Sequence, residues 1–394
     1  MNIPNHTIKL KNLLYLFGVL ILYACVDAVE PEFDFEEGIV YIDAFAATDA
    51  GASYVSITES AISNGDYENV FVPGANVSFQ NIDNGEIVQL MEEGERYFPD
   101  ASFVVAPGQS WQMHVEFPDG RRYMSDVETV LDPVGINAIN ATYNPELLFS
   151  DAEGTFVPGH FISVDFDDPV NETNYYFWNF ESFEKTLFCE RCEGGIFREG
   201  QCQPNPPNVR RKSYYDYRCD GDCWDIETSA SINIFSDEFV NGNTVNNLPV
   251  GNIILFSKED ILVNLWQFSI SKSAYDYYLI LNDLVDNNGS INAPPPAALL
   301  GNLSNPEDPD EFVLGRFTAA SFSEATIFVD RTNIRENALE GRGFIQVEAC
   351  FEVCPTEGCP PSPRPGTCVP VTNIACEEGR FRTAVAPPGW IEQE

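Results

Sequence analysis

Eleven cysteines, three histidines and 61 carboxylates are the side chains of this 394-residue chain with types suited to chemistry. Ten cysteines form two groups of five: Cys189, Cys192, Cys202, Cys219 and Cys223, then Cys350, Cys354, Cys359, Cys368 and Cys376. Cys189-x-x-Cys192 with Cys219-x-x-x-Cys223 has the look of a four-thiolate zinc site. Disulfides fit better, because the total is even and further cysteines surround each pair. If all ten are paired, two groups of five require at least one bridge between them, which sets the C-terminal segment against 189–223. Histidine chemistry is sparse. His114 shares a strand face with Gln112 and Glu116 and reads as a solvated surface residue; His160 has the parity of Ile162, Val164 and Phe166 and reads as a partly buried structural one. The chain has no Gly-x-Ser-x-Gly elbow, His-Glu-x-x-His helix or phosphate-binding glycine loop. Carboxylate pairs at glycosidase spacing are expected by chance among so many acids. Asp165, Asp167 and Asp168, and Glu307, Asp308, Asp310 and Glu311, cluster the oxygens that a structural calcium ion takes, though without EF-hand spacing. Solvated loops account for them better. No catalytic residue, metal site or cofactor is assigned, and the chain is not read as an enzyme.

Two recognition surfaces suggest themselves. Tyr175-Tyr176-Phe177-Trp178, with Trp266 and Phe268, would make aromatic platforms, although strand aromatics usually pack in a core. Arg210, Arg211, Lys212, Tyr214 and Tyr215 form a basic, tyrosine-bearing run on a protein with 21 basic residues and a net charge of −40. They are the candidate partner or ligand contacts, with internal charge neutralisation as the alternative. The charge itself argues against nucleic-acid binding. With 29 Phe, 16 Tyr and 5 Trp, the chain is also too aromatic for a disordered acidic tail.

The N-terminus supplies an address. Lys9 and Lys11 precede the short apolar run Leu13–Tyr23, the order of a secretory signal over residues 1–24. Leu22-Tyr23-Ala24-Cys25 resembles a bacterial lipobox, which makes Cys25 the lipidation site. Six acids follow in a tether over 25–37: Asp27, Glu30, Glu32, Asp34, Glu36 and Glu37. They resemble the signal that sends such lipoproteins to the cell surface.

The elements that must position these groups are mostly strands. Trp111, Met113, Val115 and Phe117 alternate with polar residues, the period of a half-buried strand. Asn84-Gly85 and Asp119-Gly120 are hairpin turns. An immunoglobulin-like β-sandwich is expected over 38–131. Within it, Pro73–Phe79 followed by Gly94-Glu95-Arg96-Tyr97 resembles prealbumin-like modules, in which the tyrosine packs back on the core. A larger β-rich domain follows over 132–349, with strands at 160–166, 175–180, around 230–236, 252–256, 261–270, 311–319, 325–330 and 343–350. It carries a disulfide-held insertion at 189–223 and one helix at about 272–286. The helix shows the stripe Ala274, Tyr277/Tyr278, Leu281 and Leu284/Val285, with Ser273 and Asp276 as the capping pair. Residues 350–394, rich in Cys and Pro, read as an irregular C-terminal wrap.

Several motifs share an order: Cys223-Trp224, Ile232–Asp237, Ser269-Ile270-Ser271 before Tyr275–Tyr278, Pro294-Pro295-Pro296, Gly301-Asn302-Leu303 and Val313–Ala320. With the lipobox and Pro73-Gly74-Ala75, they resemble the domain-of-unknown-function 4249 family of Bacteroidota outer-membrane lipoproteins. That resemblance implies a lipid-anchored outer-membrane protein, surface-exposed, which accompanies a TonB-dependent transporter as a non-catalytic accessory or substrate-capture partner. It supplies no active site and no ligand. The competing classes are an assembly scaffold of an outer-membrane complex and a surface glycoside hydrolase.

Overall fold

A computed structural model describes residues 37–392 apart from 64–65, 151, 171, 187, 194, 200, 205–214, 230, 287–298, 300, 340–375, 377 and 380. It is mainly β, 54% strand, with one helix among the described residues. In chain order the first strands are β1 (Val40–Ala47), β2 (Tyr54–Ser63), β3 (Asp66–Phe71), β4 (Asn76–Asn81), β5 (Ile87–Gln89), β6 (Met91–Glu93), β7 (Arg96–Phe98), β8 (Ser110–Glu116), β9 (Arg122–Ser125) and β10 (Glu128–Thr129). Then come β11 (Ile136–Ser150), β12 (Thr155–Asp167), β13 (Tyr175–Lys185), β14 (Phe188–Glu193), β15 (Gly195–Arg198), β16 (Gln201–Pro204), β17 (Tyr215–Gly221), β18 (Trp224–Thr228), β19 (Asn233–Ser236), β20 (Thr244–Ile254) and β21 (Ile261–Ile270). Helix α1 (Lys272–Asp286) precedes β22 (Leu303–Ser304), β23 (Val313–Val329) and β24 (Arg382–Thr383).

One 11-stranded sheet runs β24-β18-β13-β21-β23-β1-β2-β7-β6, with β19 on β13 and β3 on β2. Its centre is β23. Residues 313–320 pair parallel with β1, and residues 321–329 pair antiparallel with β21. The two strands expected at 311–319 and 325–330 are thus one element. The apolar residues Ala319 and Ala320 are buried and carry it past the midpoint. A six-stranded sheet (β22-β9-β8-β4-β5, with β10 on β8) closes one face, and the three-stranded β11-β12-β20 sheet closes another.

Alternation explains both closures. Val40, Ile42, Ala44 and Ala46 of β1 meet Trp111, Met113 and Val115 of β8 in one core, which also takes Val313, Phe317 and Ala319 from β23. Ile162, Val164 and Phe166 of β12 meet Tyr176, Trp178 and Phe180 of β13 and Ile261, Val263 and Leu265 of β21 in a second. Period-2 burial on facing sheets is what makes each pair of faces a sandwich. Trp178 is nearly fully buried because its indole N–H donates to Gln267 Oε1 at 3.0 Å, while Gln267 Nε2 donates to the Val134 carbonyl at 2.9 Å. Satisfied in this way, a buried polar pair fixes the register of its strands.

Helix α1 spans the expected residues, but its cap differs. Ser271 Oγ accepts the Ala274 N–H at 3.2 Å, so Ser271 is the N-cap, and Ser273 faces elsewhere. Ala274, Tyr275 and Tyr278 lie against Phe45, Tyr54, Tyr175, Phe177 and Phe268 on the sheet face opposite the first core. Of the aromatics weighed as platforms, Tyr176 and Trp178 are buried in the second core, Tyr175, Phe177 and Phe268 pack partly buried against α1, and Trp266 is half-buried. Two further differences concern local pattern. β11 has no clean alternation and escaped the sequence reading. The C-terminal segment, expected to be irregular throughout, contributes β24, which pairs antiparallel with Trp224 and Asp225.

Candidate functional site

Tyr97 shows how the N-terminal turn is held. Its hydroxyl donates to the Val72 carbonyl at 2.6 Å and accepts the Ala75 N–H at 3.0 Å, clamping Pro73-Gly74 from a buried ring. Arg96 lies over the Tyr54 ring at 4.7 Å, and Tyr54 donates to Asp43 at 2.8 Å. Burial raises the Asp43 carboxyl above its ordinary pKa, with the Tyr54 hydrogen bond and the Arg96 charge opposing it.

Near the start of α1 a buried ion pair gathers distant segments. Glu128 and Arg316 are 4% and 3% exposed and bonded to each other. Glu128 also accepts hydrogen bonds from Ser271 Oγ at 2.8 Å, Ser273 Oγ at 3.2 Å and Asn302 Nδ2 at 3.2 Å. Arg316 donates to Ser273 at 2.8 Å and Ser271 at 3.3 Å. Asn302 imitates a strand neighbour, donating to the Phe317 carbonyl at 2.9 Å and accepting the Phe317 N–H at 3.0 Å. The backbones of Gly301 and Gly315 approach so closely that a Cβ on Gly301 would stand 1.6 Å from the Gly315 carbonyl oxygen. Only glycine fits there. These contacts hold β10, β23, the 301–302 turn and α1 together.

The clustered acids are likewise engaged. Asp165 accepts the Asn247 N–H at 2.6 Å, and Asp167 accepts from Thr244 at 2.5 Å and Asn137 at 3.0 Å. Asp168 accepts from Tyr176 at 2.5 Å and the Gly242 N–H at 2.8 Å. Asp168 thereby holds the turn from β19 to β20, while Asp165 and Asp167 brace β12 against β20 and β11. Glu311 accepts from Tyr123 at 2.7 Å, and Glu307 pairs with Arg122 at 3.3 Å. Among the described residues no three His, Cys, Asp or Glu side chains are placed to hold a metal ion.

Cys223 and Cys376 form a disulfide across a sequence separation of 153, one cysteine from each group. If all ten cysteines are paired, the count of five and five demands such a link. Its surroundings are apolar: Trp224 packs edge-on to Trp390, and Phe328 does the same from β23. Cys202 in β16 is also disulfide-bonded. Cys189 and Cys192 fall in β14 and Cys219 in β17. Cys25, Arg210, Arg211, Lys212, Tyr214, Cys350, Cys354, Cys359 and Cys368 lie outside the described residues, and Tyr215 opens β17.

His114 departs from expectation, and His160 is buried as its parity suggested. His114 is half-buried rather than solvated; its Nε2 meets no hydrogen-bond partner, and burial lowers its pKa. His160 is 2% exposed. It stands opposite Tyr143 in the β11–β12 ladder, the rings edge-to-face at 5.5 Å between centroids. Burial, helped by the nearby Arg331 charge, lowers its pKa to about 4, so the imidazole is neutral at physiological pH. Its Nδ1 has no partner. His160 lines a cleft of about 390 Å³ at one end of the second sandwich, between β11, β12 and the segment that follows β23. Sequence reasoning missed this cleft, since only tertiary contact brings its lining together.

The sequence profile of the family described as Domain of unknown function (DUF4249) matches residues 26–326. The chain belongs to this family. A search of the curated proteins finds no match to it. The motifs that carry the DUF4249 resemblance acquire a physical meaning here. Ser271, Gly301, Asn302, Gly315, Arg316 and Phe317 all meet at the Glu128 joint, and Cys223-Trp224 anchors the C-terminal segment.

Proposed function

We propose that this DUF4249 protein is a non-catalytic lipoprotein of a Bacteroidota outer membrane, anchored through Cys25 and displayed at the cell surface. There it serves a TonB-dependent transporter as an accessory that captures or retains substrate over the barrel. The observation that carries this reading is the family match over residues 26–326, which begins directly behind the lipobox cysteine. The acidic tether keeps the folded body off an anionic surface. The motif residues serve architecture, in keeping with a binding rather than a catalytic role.

Mild-detergent capture of the tagged protein from its native outer membrane, followed by mass spectrometry, tests the reading. One TonB-dependent barrel recovered in near-equal amount supports it. Recovery alone, or with assembly machinery, overturns the transporter partnership. Cys25→Ser should release the protein from membranes, and a variant that stays bound refutes lipid anchoring.

A further inference from the structure

The face of the large sheet opposite the second core is covered in two places and open between them. Phe177, Phe268 and Phe322 form one cross-strand row of β13, β21 and β23, and Tyr278 of α1 stacks on Phe177 at 4.9 Å. Phe183, Leu262 and Phe328 form another row, covered by Trp390, with Gly389 against Leu262 and Thr326. Between these walls lie two further rows, Asn179–Trp266–Glu324 and Glu181–Asn264–Thr326. Two residues along each strand separate one row from the next, about 7 Å. Glu324 and Thr326 are exposed, and the other four residues are half-buried. Trp266 is therefore the centre of an open strip with a carboxylate on either side, Glu324 directly across on β23 and Glu181 diagonally on β13. Long side chains span both spacings.

The groups of this strip are largely unengaged. Among the described residues Trp266 meets no other ring, and its indole N–H has no acceptor. Asn179 Oδ1 accepts the Phe180 N–H and Asn264 Oδ1 accepts from Thr326 Oγ1, both at 2.9 Å, which leaves the two amide nitrogens to donate. Neither Glu181 nor Glu324 has a cation or donor beside it among the described residues, and no Lys or Arg stands in either row. Burial alone raises the Glu181 carboxyl above its ordinary pKa. A half-buried carboxylate without a counter-ion carries a desolvation cost that an incoming cation offsets.

Charge and donor count narrow the occupant. An anion is repelled by both glutamates on a protein of net charge −40. A neutral ligand leaves the two carboxylates uncompensated. A small polyamine answers them but offers no acceptor to the three N–H groups. An arginine within a peptide does both: its planar guanidinium stacks on an indole and pairs with carboxylates, while backbone carbonyls accept from the amides. A sheet face is also flat, whereas small-molecule sites are concave. We propose that this strip docks an arginine-bearing segment of a partner protein, with the guanidinium on Trp266 between Glu181 and Glu324. The surface belongs to the folded body, so docking requires neither the lipid anchor nor a transporter as the partner.

The test is binding of the full chain, in detergent, to an array of blocked nonapeptides with a central arginine and varied uncharged flanks. Fluorescence anisotropy reads it at about 150 mM salt, which screens the diffuse attraction of a cation to an acidic protein. Matched peptides carry citrulline, the neutral isostere, and arginine amide and spermidine serve as small cations. Some arginine peptides should bind saturably, about tenfold tighter than their citrulline counterparts. Trp266→Ala and Glu324→Gln should each weaken them about tenfold. Glu153→Gln, at an exposed acid in the β11–β12 turn, should change nothing. Circular dichroism checks each variant's fold; should Trp266→Ala fail to fold, Glu324→Gln on the exposed position decides alone. Four results would each overturn the assignment: no saturable peptide binding, equal affinity for citrulline peptides, a small cation bound as tightly, or affinity unchanged in folded Glu324→Gln. An equal loss in Glu153→Gln would refute it too, since the attraction would then be diffuse.

Discussion

The Glu128–Arg316 joint offers the sharpest test of how β10, β23 and α1 are held together. Replacing Glu128 by Gln keeps the side chain's shape and an amide oxygen to accept, but leaves the Arg316 guanidinium, 3% exposed, with neutral acceptors alone and no counter-charge. A buried charge stripped of its counter-ion destabilises by about 3–5 kcal/mol, because desolvation of the survivor is no longer offset. Arg316→Met should do similar harm by orphaning the carboxylate. The double variant removes both charges, so its loss should shrink to about 1–3 kcal/mol, the worth of the hydroxyl and amide hydrogen bonds that remain disturbed. The pair must therefore be strongly non-additive. Urea unfolding followed by tryptophan fluorescence gives the four stabilities of the cycle. If the double variant loses as much as the two single variants combined, the charges act independently and the reasoning fails. Single losses below about 1 kcal/mol would show a joint open to water, and refute it equally.

Other expectations follow from named contacts. Tyr97→Phe removes a hydroxyl that both donates to Val72 and accepts from Ala75, and should cost about 1–3 kcal/mol in the same unfolding assay. His160 has a folded pKa of about 4 against an ordinary 6.5, so the unfolded chain binds the proton more readily. Its contribution to stability is complete above pH 6.5 and is lost progressively as the pH falls toward 4; subtracting the His160→Phe profile from that of the parent protein should isolate this slope. Non-reducing digestion should yield the Cys223 and Cys376 peptides joined, and reduction should lower the melting temperature, since the bridge closes a long loop. Recovery of both peptides as free thiols would contradict it.

Much of the fold was legible locally. Period-2 alternation placed β8 and its buried face, and a three- and four-residue stripe placed α1, because both signals need only neighbours along the chain. The resemblance to prealbumin-like modules implied that Tyr97 packs back on the core, and the count of cysteines required a link between the two groups if all ten are paired. Which cysteines make that link was decided only by the strand pairing that lays β24 on β18. β11 escaped notice because it pairs along one edge only, with β12, and most of its side chains are at least partly exposed, so alternation is weak. Glu128 is one carboxylate among 61, and nothing near it in sequence marks it; its partner Arg316 lies 188 residues away. The cleft is the same case, since Tyr143 and Glu336 are separated by 193 residues. Sequence by itself determined most of the strands, the helix and the family, all of which are written in short-range spacing. The joint, the disulfide partner and the cleft were decided by tertiary structure, because they depend on which distant segments the two cores bring into contact.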